Sequence, residues 1–556
     1  MKITRIILTS IYLFLALQVL AQGVSPSKYE YRAVWLTTIE NLDWPKTVVR
    51  RNGDIARQQA ELVSILDSLQ AMNVNTVLLQ TRVRGDVIYP SAIEPFSPVL
   101  TGVPGKSPGY DPLAFAIEEC HKRGMQLHAW LVTLPLGKDE HIVKQGSLAL
   151  SRHRRSLCTH YRGAWYMEPG NPEVASYITS LVEEVVKNYD IDGVHLDYVR
   201  YPDRTNGYPD TQLHRKHGRG LSLADWRRNN ITNIARAVYT TVKELKPWVR
   251  VSCAPLGKFD DLTRYRSLGW NAYDAVFQDA QAWMRDGIMD IIFPMLYFDG
   301  NNFYPFVLDW QENSYGRHVV PGIGIYRLFP EYGGWPVLEI ERQLNTSRSA
   351  GTAGTAMFRA HHMLSNVAGG YDAYRKVYRT PALVPPMYWA GDAPLQPQNV
   401  VAVRDKEGVD LSWDVVPSAD GFPAVRYNVY AAIGDSVDCS NALHLVSVMS
   451  PEQAFRWNCS TYASLSLAVT AVNAYGIECE PVMVCCAGVE SRISDSELSL
   501  TVAGARTMQV TDVYGREIYR GRYSDRIIVG GLGRGHYILN LFDASGALVG
   551  TKEFAR

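Results

Sequence analysis

The amino-acid sequence predicts a protein of the α/β class, a TIM (β/α)8 barrel followed by two small all-β domains. Three observations support this prediction. Short apolar runs alternate with helix-like segments through residues 30–380, a proline-rich stretch comes next, and short alternating strands without helical spacing fill the remainder. Apolar runs of this kind are typical of parallel strands that are buried on both faces. With 556 residues, the chain is also too long for a single domain.

Eight apolar runs are candidate barrel strands, and helix-like segments separate them. Two of the helices have a recognisable start, because Asp111-Pro112 and Asn171-Pro172 each place a capping residue before a first-turn proline. The predicted strands cover residues 31–37, 76–83, 126–133, 193–200, 250–256, 291–298, 319–326 and 355–360. The predicted helices cover residues 54–72, 111–123, 172–188, 224–245 and 335–349. This alternation predicts a TIM barrel with enlarged loops over residues 29–380.

The first residues predict export. Lys2 and Arg5 precede an apolar run over residues 6–17, and Val19-Leu20-Ala21 provides a cleavage site, so we predict a signal peptide over residues 1–21. The apolar run is too short for a permanent membrane helix, and no later stretch is long and apolar enough for a transmembrane segment. We therefore expect an exported protein that is periplasmic, at the cell surface or secreted.

Composition narrows the classes of partner. Lys+Arg and Asp+Glu are equal at 56 each, so the chain lacks the basic character of proteins that bind nucleic acid or anionic membrane surfaces. An uncharged polymer is the easier partner, and 13 Trp and 32 Tyr suit a protein that stacks flat side chains on sugar rings. The eight cysteines permit disulfide bonds without requiring them. Cys485-Cys486 lacks the spacing of zinc sites, so the sequence predicts no metal and no cofactor.

The region after the barrel changes character. Residues 381–397 are rich in proline and are interpreted as a linker. Residues 398–490 resemble a fibronectin type III module through Trp413, Tyr427 and Tyr475, which we expect to be core residues. Residues 497–556 resemble the C-terminal sorting domain of the type IX secretion route through VYGREIY, GLGRGHYILNLFD and the closing GTKEFAR. One more small accessory sandwich is the alternative for this last segment, and the resemblance implies the secretion machinery as a partner.

Polar side chains follow most of the predicted barrel strands, where the carboxyl ends of parallel strands form a common mouth. The segment Asp192-Gly-Val-His-Leu-Asp-Tyr-Val-Arg-Tyr-Pro202 is the most informative, since an apolar strand ends there in a carboxylate, a phenol and a guanidinium. Carboxyl groups beside aromatic rings are typical of a glycosidase, in which one carboxyl protonates the leaving oxygen and another attacks or activates water. The residues at the strand ends are Thr37, Thr38, Asp43, Arg82, Arg84, Asp86, Glu94, Trp130, Asp197, Tyr198, Arg200, Tyr297, Asp299, Tyr326 and Arg359.

Several motifs in order resemble the glycosyl hydrolase-like 10 family. They are Arg32-Ala-Val-Trp-Leu-Thr37, Gln80-Thr-Arg-Val-Arg-Gly-Asp86, Ser91-Ala-Ile-Glu-Pro-Phe-Ser97, Leu100-Thr-Gly102, Pro108-Gly-Tyr-Asp-Pro-Leu113, His128-Ala-Trp130 and the segment 192–202. The resemblance covers roughly residues 29–380. It implies a TIM-barrel hydrolase of bacterial cell envelopes, with relatives linked to cleavage of peptidoglycan glycan strands that have lost their stem peptides.

The resemblance carries over to particular residues. It favours functional roles for Arg82 and Asp86 of the RxxGD motif, Glu94 of the SxxEP motif, His128 and Trp130 of the HAW motif, and His195 with Asp197. The chain departs from the family pattern at Val83, Phe96, Leu131-Val132, Glu168 and Tyr198, where relatives commonly have Pro, Trp, Asn-Pro, Asp and a second Asp. The loss of the Asn after HAW puts the sugar contacts in doubt more than the reaction.

We hypothesise that Asp197 is one catalytic carboxylate and that Glu94 or Asp86 is the other. The expected substrate-binding residues are Arg82, Arg84, His128, Trp130, His195, Tyr198, Arg200, Tyr297 and Tyr326. Structural roles are open for several of these residues. His128 and His195 lie inside strands, where a core histidine is at least as common as a ligand, while Asp86 could brace Arg82 and Glu94 could cap a loop.

The predicted function is therefore that of an enzyme, a glycoside hydrolase that acts on a polysaccharide or glycan strand. The positive charges of Arg82 and Arg84 favour a substrate sugar that bears a carboxylate. Two alternatives remain open from the sequence, a non-catalytic glycan-binding or surface protein and a hydrolase of dietary or host polysaccharide. Retention or inversion depends on the distance between the two carboxyl groups, which a sequence does not give.

Overall fold

The computed structural model describes residues 27–404, 407–459, 464–486, 490–493, 497–502, 504–524, 526–529 and 532–555. The predicted signal peptide, residues 1–21, lies outside the described residues. The chain divides into two compact units, one of which spans Tyr29–Ala390. The other unit consists of the chain from Gly391 onwards together with residues 27 and 28. In the described part of the chain, no helix is long and apolar enough to cross a membrane.

The larger unit, all of which is described, contains a closed barrel of eight parallel strands. Its sixth and seventh strands are each divided into two short segments, which lie on either side of Pro294 and Pro321. The strands of this unit are β1 (Tyr31–Leu36), β2 (Thr76–Arg82), β3 (Gln126–Val132), β4 (Pro135–Lys138), β5 (Cys158–Tyr161), β6 (Ala164–Met167), β7 (Gly193–Asp197), β8 (Arg250–Cys253), β9 (Ile291–Ile292), β10 (Met295–Leu296), β11 (His318–Val319), β12 (Gly322–Ile323) and β13 (Gly354–Phe358).

Strand pairing closes the barrel. The order β1-β2-β3-β7-β8 continues through β9, which pairs with β11, and β10, which pairs with β12. β12 then pairs with β13, and β13 returns to β1 with Tyr31 opposite Gly354. All of these pairings are parallel. The predicted TIM barrel is therefore confirmed, and its strands lie within the predicted runs except that β11 and β13 each begin one residue earlier, at His318 and Gly354. β4, β5 and β6 form a separate antiparallel sheet that the sequence analysis did not predict.

The helices that were predicted lie within two residues of their expected bounds. Asp111 and Asn171 act as N-caps, since Oδ1 of Asp111 accepts from the N–H groups of Leu113 and Ala114, and Asn171 accepts from that of Glu173. The helices of the barrel unit are α1 (Asn52–Gln70), α2 (Pro98–Thr101), α3 (Pro112–Lys122), α4 (Asp139–Gln145), α5 (Leu150–His153), α6 (Pro172–Asn188), α7 (Thr211–His217), α8 (Leu223–Leu245), α9 (Ala272–Ala275), α10 (Ala280–Arg285), α11 (Tyr304–Glu312), α12 (Val337–Ser349), α13 (Ala360–Leu364) and α14 (Gly370–Val377).

Side chains of the barrel strands alternate between two cores. One core fills the barrel interior and includes Trp35, Trp130 and Phe293, whereas the other lies between strands and helices and includes Val194 and Leu196. Because successive strand residues point to opposite faces, Gly193, His195 and Asp197 are the inward positions of β7. Asp197 is the last of these, so the strand delivers its side chain to the carboxyl end of the barrel.

The barrel unit extends beyond its predicted boundary. Leu383 accepts a hydrogen bond of 2.9 Å from the N–H of Glu30, and Met387 is fully buried. The unit therefore continues to Ala390, and the first part of the predicted linker 381–397 packs as part of the barrel unit. The proline content of this segment was a poor guide, because proline is compatible with a chain that packs in an extended conformation.

The second unit consists of β-sheets. One pair of sheets has the orders β14-β15-β18 and β17-β16-β19-β20, and another has the orders β21-β22-β25 and β24-β23-β26-β27. Trp413 and Tyr427 are buried in the first pair, with ring centroids 5.2 Å apart, while Tyr475 is half-buried. The strands are β14 (Val401–Arg404), β15 (Gly408–Ser412), β16 (Arg426–Ile433), β17 (Leu445–Ser450), β18 (Ala454–Asn458), β19 (Leu465–Val472), β20 (Val482–Cys486), β21 (Glu490–Ile493), β22 (Glu497–Thr501), β23 (Thr507–Asp512), β24 (Glu517–Arg522), β25 (Arg526–Ile528), β26 (His536–Phe542) and β27 (Leu548–Ala555).

Candidate active site

Asp197 lies at the carboxyl end of β7 with a carboxyl group that is 6% exposed. Its Oδ2 accepts a hydrogen bond of 3.1 Å from the indole Nε1 of Trp130, and its Oδ1 accepts one of 2.7 Å from the N–H of Tyr198. Burial raises the pKa of Asp197 to about 6, although the positive charge of Arg200 and both hydrogen bonds act in the opposite direction. A carboxyl group with this pKa can hold and release a proton near neutral pH.

The chain turns outward directly after Asp197. Tyr198 has a φ of 52°, and 41% of its surface is exposed. The guanidinium of Arg200 lies over the Tyr198 ring, 4.5 Å from its centroid, and Nη1 of Arg200 donates a hydrogen bond of 2.6 Å to Asp203. The structure therefore brings Trp130, Asp197, Tyr198 and Arg200 together, as the sequence predicts. Asp203, which the sequence analysis missed, follows Arg200 at a spacing that favours such a pair.

Arg82 and Glu94 form a buried ion pair. Nε and Nη2 of Arg82 donate to Oε2 and Oε1 of Glu94 at 2.8 and 2.7 Å. The hydroxyl of Tyr177 donates a further hydrogen bond of 3.1 Å to Glu94, and Nη1 of Arg82 donates to the carbonyl oxygens of Val132 and Thr133. Both side chains are almost fully buried. The charges of this predicted substrate-binding residue and this predicted catalytic residue are thus satisfied within the protein.

Asp86 is buried beside this ion pair, and 1% of its surface is exposed. Its Oδ2 accepts a hydrogen bond of 2.8 Å from Nε2 of Gln145, and Nε2 of His141 lies 3.6 Å away. Burial raises the pKa of Asp86 to about 6, and the negative charge of Glu94 acts in the same direction. Nearer the surface, Nη2 of Arg84 donates a hydrogen bond of 3.1 Å to Glu40.

His128 and His195 lie inside the barrel. The indole Nε1 of Trp35 donates a hydrogen bond of 3.1 Å to Nε2 of His195, whose Nδ1 lies 2.9 Å from the hydroxyl of Ser252. Burial lowers the pKa of His195 well below 6.5 and that of His128 to about 3, so both are neutral. Both are completely buried. Both side chains therefore lie in the core of the barrel, which is the structural role that the sequence analysis left open beside substrate contact.

Aromatic rings line the opposite side of the mouth. Tyr297 follows β10, and its ring centroid lies 5.9 Å from that of Tyr326 and 5.1 Å from that of Phe358. Burial raises the pKa of Tyr297, and so does the negative charge of Asp197, which places the phenol near the carboxyl group. Tyr332 and His362 continue the group and were missed by the sequence analysis. The run Tyr326-Arg-Leu-Phe-Pro-Glu-Tyr332, dense in aromatic residues after a barrel strand, was the available signal.

Two of the other strand-end residues tie the first and last barrel strands together. Oδ2 of Asp43 accepts hydrogen bonds from the N–H and hydroxyl of Thr37 at 2.8 and 2.7 Å. Its Oδ1 accepts from Nη1 of Arg359 and, at 3.0 Å, from the N–H of His361. Since Asp43 is buried, these contacts brace the mouth and leave its charge unavailable to a substrate.

The described residues contain neither a disulfide bond nor a cluster of potential metal ligands. All eight cysteines lie within the described ranges and are free thiols. Across the same ranges, no group of three His, Cys, Asp or Glu side chains is arranged to hold a metal ion.

Comparison with known proteins gives consistent matches. Residues 30–327 match the family described as glycosyl hydrolase-like 10. Glycosyl hydrolase YngK of Bacillus subtilis (strain 168) is 33% identical over 430 residues, which cover 73% of this chain and 84% of the relative. Glycosyl hydrolase DigH of Escherichia coli (strain K12) is 31% identical over 371 residues, which cover 61% of this chain and 84% of the relative.

Among solved structures, the glycoside hydrolase domain of PgaB (BpsB) from Bordetella bronchiseptica has a TM-score of 0.42 at 13% identity. That alignment covers 63% of this chain and 99% of the other. The family match spans more than half of the sequence, and the two curated relatives agree with it. On these matches, the chain belongs to the glycosyl hydrolase-like 10 family.

Proposed function

We propose that this protein is an exported glycoside hydrolase that uses Asp197 as its proton donor. The observation that carries the proposal is the environment of Asp197, a mostly buried carboxyl group at the barrel mouth whose pKa is raised to about 6. Such a group remains protonated at mildly acidic pH and can transfer its proton to the leaving glycosidic oxygen. Tyr198 and Arg200, directly beside it, provide an exposed ring and a cation for contact with a sugar.

Asp86 is the better candidate for the second carboxylate. The charge of Glu94 is balanced by two hydrogen bonds from Arg82, whereas Asp86 accepts hydrogen bonds from neutral groups, the amide of Gln145 and the hydroxyl of Ser97. A neutral partner leaves the carboxyl group free to gain and lose a proton. Because only 1% of Asp86 is exposed, this role requires movement of the segment that carries Gln145 when a glycan binds.

The proposed substrate is the glycan strand of peptidoglycan without its stem peptides, as the resemblance of the motifs implies. A sugar that bears a carboxylate fits cationic side chains at the mouth. Arg82 does not supply that charge, because Glu94 engages it. Arg84 is the better remaining candidate, because its side chain is 29% exposed, whereas that of Arg200 is 4% exposed.

The proposal includes export and two accessory domains. Support for a fibronectin type III-like module over residues 398–490 comes from its sheets of three and four described strands and from the buried Trp413. The second pair of sheets has the same division of described strands, which suits either a sorting domain or an accessory sandwich. The signal peptide proposed for residues 1–21 directs the protein to the periplasm, the cell surface or the exterior.

One observation favours a second candidate, a non-catalytic glycan-binding protein. Both residues considered as partners of Asp197 are bonded internally, Glu94 to Arg82 and Asp86 to Gln145. If neither residue can act with Asp197, the barrel would bind glycan through Tyr198, Arg200 and the rings opposite without cleaving it. A hydrolase of dietary or host polysaccharide would share the proposed chemistry and differ only in its substrate.

The test compares polymers and variants of the full chain. Peptide-free glycan strands, intact peptidoglycan and a neutral plant glycan are each incubated with the wild type, with Asp197→Asn and with Asp86→Asn, and products are identified by mass spectrometry. Asp190→Asn is the matched control, because Asp190 is exposed and lies just before the opposite end of β7.

Soluble oligosaccharides from peptide-free strands alone, produced by the wild type and Asp190→Asn and absent with Asp197→Asn, are the expected result. Products from the plant glycan instead would replace the peptidoglycan assignment. Binding to glycan without products from any polymer would establish the binding-protein alternative.

A further inference from the structure

Three tyrosine rings form a continuous path from the neighbourhood of Asp197 to the protein surface. The centroids of Tyr297 and Tyr326 are 5.9 Å apart, those of Tyr326 and Tyr332 are 5.5 Å apart, and both pairs meet edge to face. The Trp35 ring lies 6.4 Å from that of Tyr297 and 5.9 Å from that of His195, which is one inward position below Asp197. At the other end of the path, 45% of Tyr332 is exposed. An exposed ring that continues such a row is more than core packing requires.

The segment that carries these rings is fixed by internal contacts. Backbone hydrogen bonds run from the N–H of Arg327 to Gly324, from that of Trp335 to Arg327 and from that of Gly334 to Phe329, at 2.8 to 3.0 Å. The guanidinium of Arg327 lies over the rings of Tyr326 and Trp335, 5.2 and 5.7 Å from their centroids. Rings that are already held in place lose little conformational freedom when a ligand binds, so their contacts contribute more fully to affinity.

One histidine and two arginines lie around the path. His362 packs against both Tyr326 and Tyr332, with centroid distances of 6.0 and 5.9 Å. Burial lowers the pKa of His362 to about 4, so its ring carries no charge at neutral pH. Arg359 is paired with Asp43, and Arg327, which lies over Tyr326, donates a hydrogen bond of 3.3 Å to the carbonyl oxygen of Tyr332. Flat aromatic faces with hydroxyl tips match the C–H face of a pyranose ring and its hydroxyl edge.

We infer that Tyr326 and Tyr332 form a sugar-stacking subsite for a part of the glycan chain distant from the bond that is cleaved. This inference rests on the proposed glycoside hydrolase function and extends it. The path begins near the proposed proton donor and ends at the rim, so the ligand is a polymer with several successive sugar rings. The cleft would therefore favour long glycan chains over disaccharides.

The experiment uses full-length protein and peptide-free glycan oligosaccharides of two, four, six and eight sugars. Initial rates of reducing-end formation give kcat and KM for the wild type, Tyr332→Ala and Tyr332→Phe. Tyr315→Ala is the matched control, because Tyr315 is 54% exposed and precedes β11 at the opposite end of the barrel. Circular dichroism and the thermal midpoint verify that every variant is folded.

We expect kcat/KM of the wild type to rise with chain length and Tyr332→Ala to flatten that rise. For the octasaccharide, a lost stacking contact of about 1.4 kcal/mol corresponds to a loss of about 10-fold, expressed in KM, and Tyr332→Phe retains most of the activity. An equal effect of Tyr332→Ala at every chain length, or no effect, would overturn the subsite. Absence of products with the wild type at every length would instead refute the proposed function itself.

Discussion

The indole Nε1 of Trp130 donates a hydrogen bond of 3.1 Å to Oδ2 of Asp197, which joins the inward positions of two neighbouring barrel strands. Hydrogen bonding to the ionised form lowers the pKa of a carboxyl group, so this contact opposes the effect of burial on Asp197. Burial outweighs this contact together with the charge of Arg200 and the hydrogen bond from Tyr198, and the pKa is about 6. In the proposed reaction, Trp130 would therefore act through Asp197, as a positioning residue.

Replacement of Trp130 by Phe should move the alkaline limb of the pH–rate profile to higher pH. The variant loses one hydrogen-bond donor to the carboxylate, so the pKa of Asp197 rises above about 6. The acid then remains protonated up to a higher pH. A hydrogen bond worth about 1 kcal/mol corresponds to roughly 0.7 pH units. Trp165→Phe is the control, because Trp165 donates a similar bond to Asp139 on an exposed segment. A limb that does not move in Trp130→Phe would contradict the role of the indole.

Asp197→Asn should become more stable relative to the wild type as pH rises. The folded pKa is raised from 3.8 to about 6, so protonated Asp197 stabilises the fold below the unfolded pKa, and this contribution is lost as pH rises through 6. Asn cannot ionise and avoids the loss, which amounts to about 2 kcal/mol between pH 4.5 and pH 8. Denaturant unfolding of both proteins at the two pH values measures the difference. A stability difference that is constant with pH would show that Asp197 titrates normally.

The barrel and the position of Asp197 could be predicted because apolar runs separated by helices define parallel strands, and strand alternation defines inward positions. The depth of each inward residue within the barrel can also be predicted from the sequence. His195 lies one inward position below Asp197 and Gly193 lies below that, so counting from the strand end already places His195 in the interior. The interruptions of the sixth and seventh barrel strands at Pro294 and Pro321 could also be predicted, because proline cannot donate a backbone hydrogen bond to a neighbouring strand.

Which polar side chains are satisfied internally could not be predicted. Arg82 and Glu94 are separated by twelve positions, and their pairing depends on the path of the loop that connects them. The sequence shows only that two charged residues lie near one strand end. Such residues can bind a substrate or form an ion pair with each other, and the sequence does not distinguish the two. The sheet formed by β4–β6 was missed because its strands are short and interrupt the segment between β3 and α6.

Glu94→Gln should destabilise the protein more than the double variant Arg82→Met/Glu94→Leu. The single change leaves the guanidinium of Arg82 buried without its counter-charge, which costs about 3 to 5 kcal/mol, whereas an apolar pair of similar size restores much of the loss. Unfolding free energies of the wild type and both variants test this order. Turnover per folded molecule is the second readout. A large fall in turnover for Glu94→Gln at normal stability would make Glu94 a catalytic group instead.

Gly193→Ala should destabilise the barrel, and removal of the His128 ring should relieve the effect. A Cβ at residue 193 would lie 2.6 Å from Nδ1 of His128, which is enclosed in the core. Overpacking of this kind costs about 1 to 3 kcal/mol, so Gly193→Ala should cost less in a His128→Ala background than in the wild type. Gly53→Ala is the control, since a Cβ there meets no atom within 4 Å. A cost of Gly193→Ala that is the same in both backgrounds would contradict this packing contact, and a higher KM for His128→Ala alone would show that His128 also contacts the glycan.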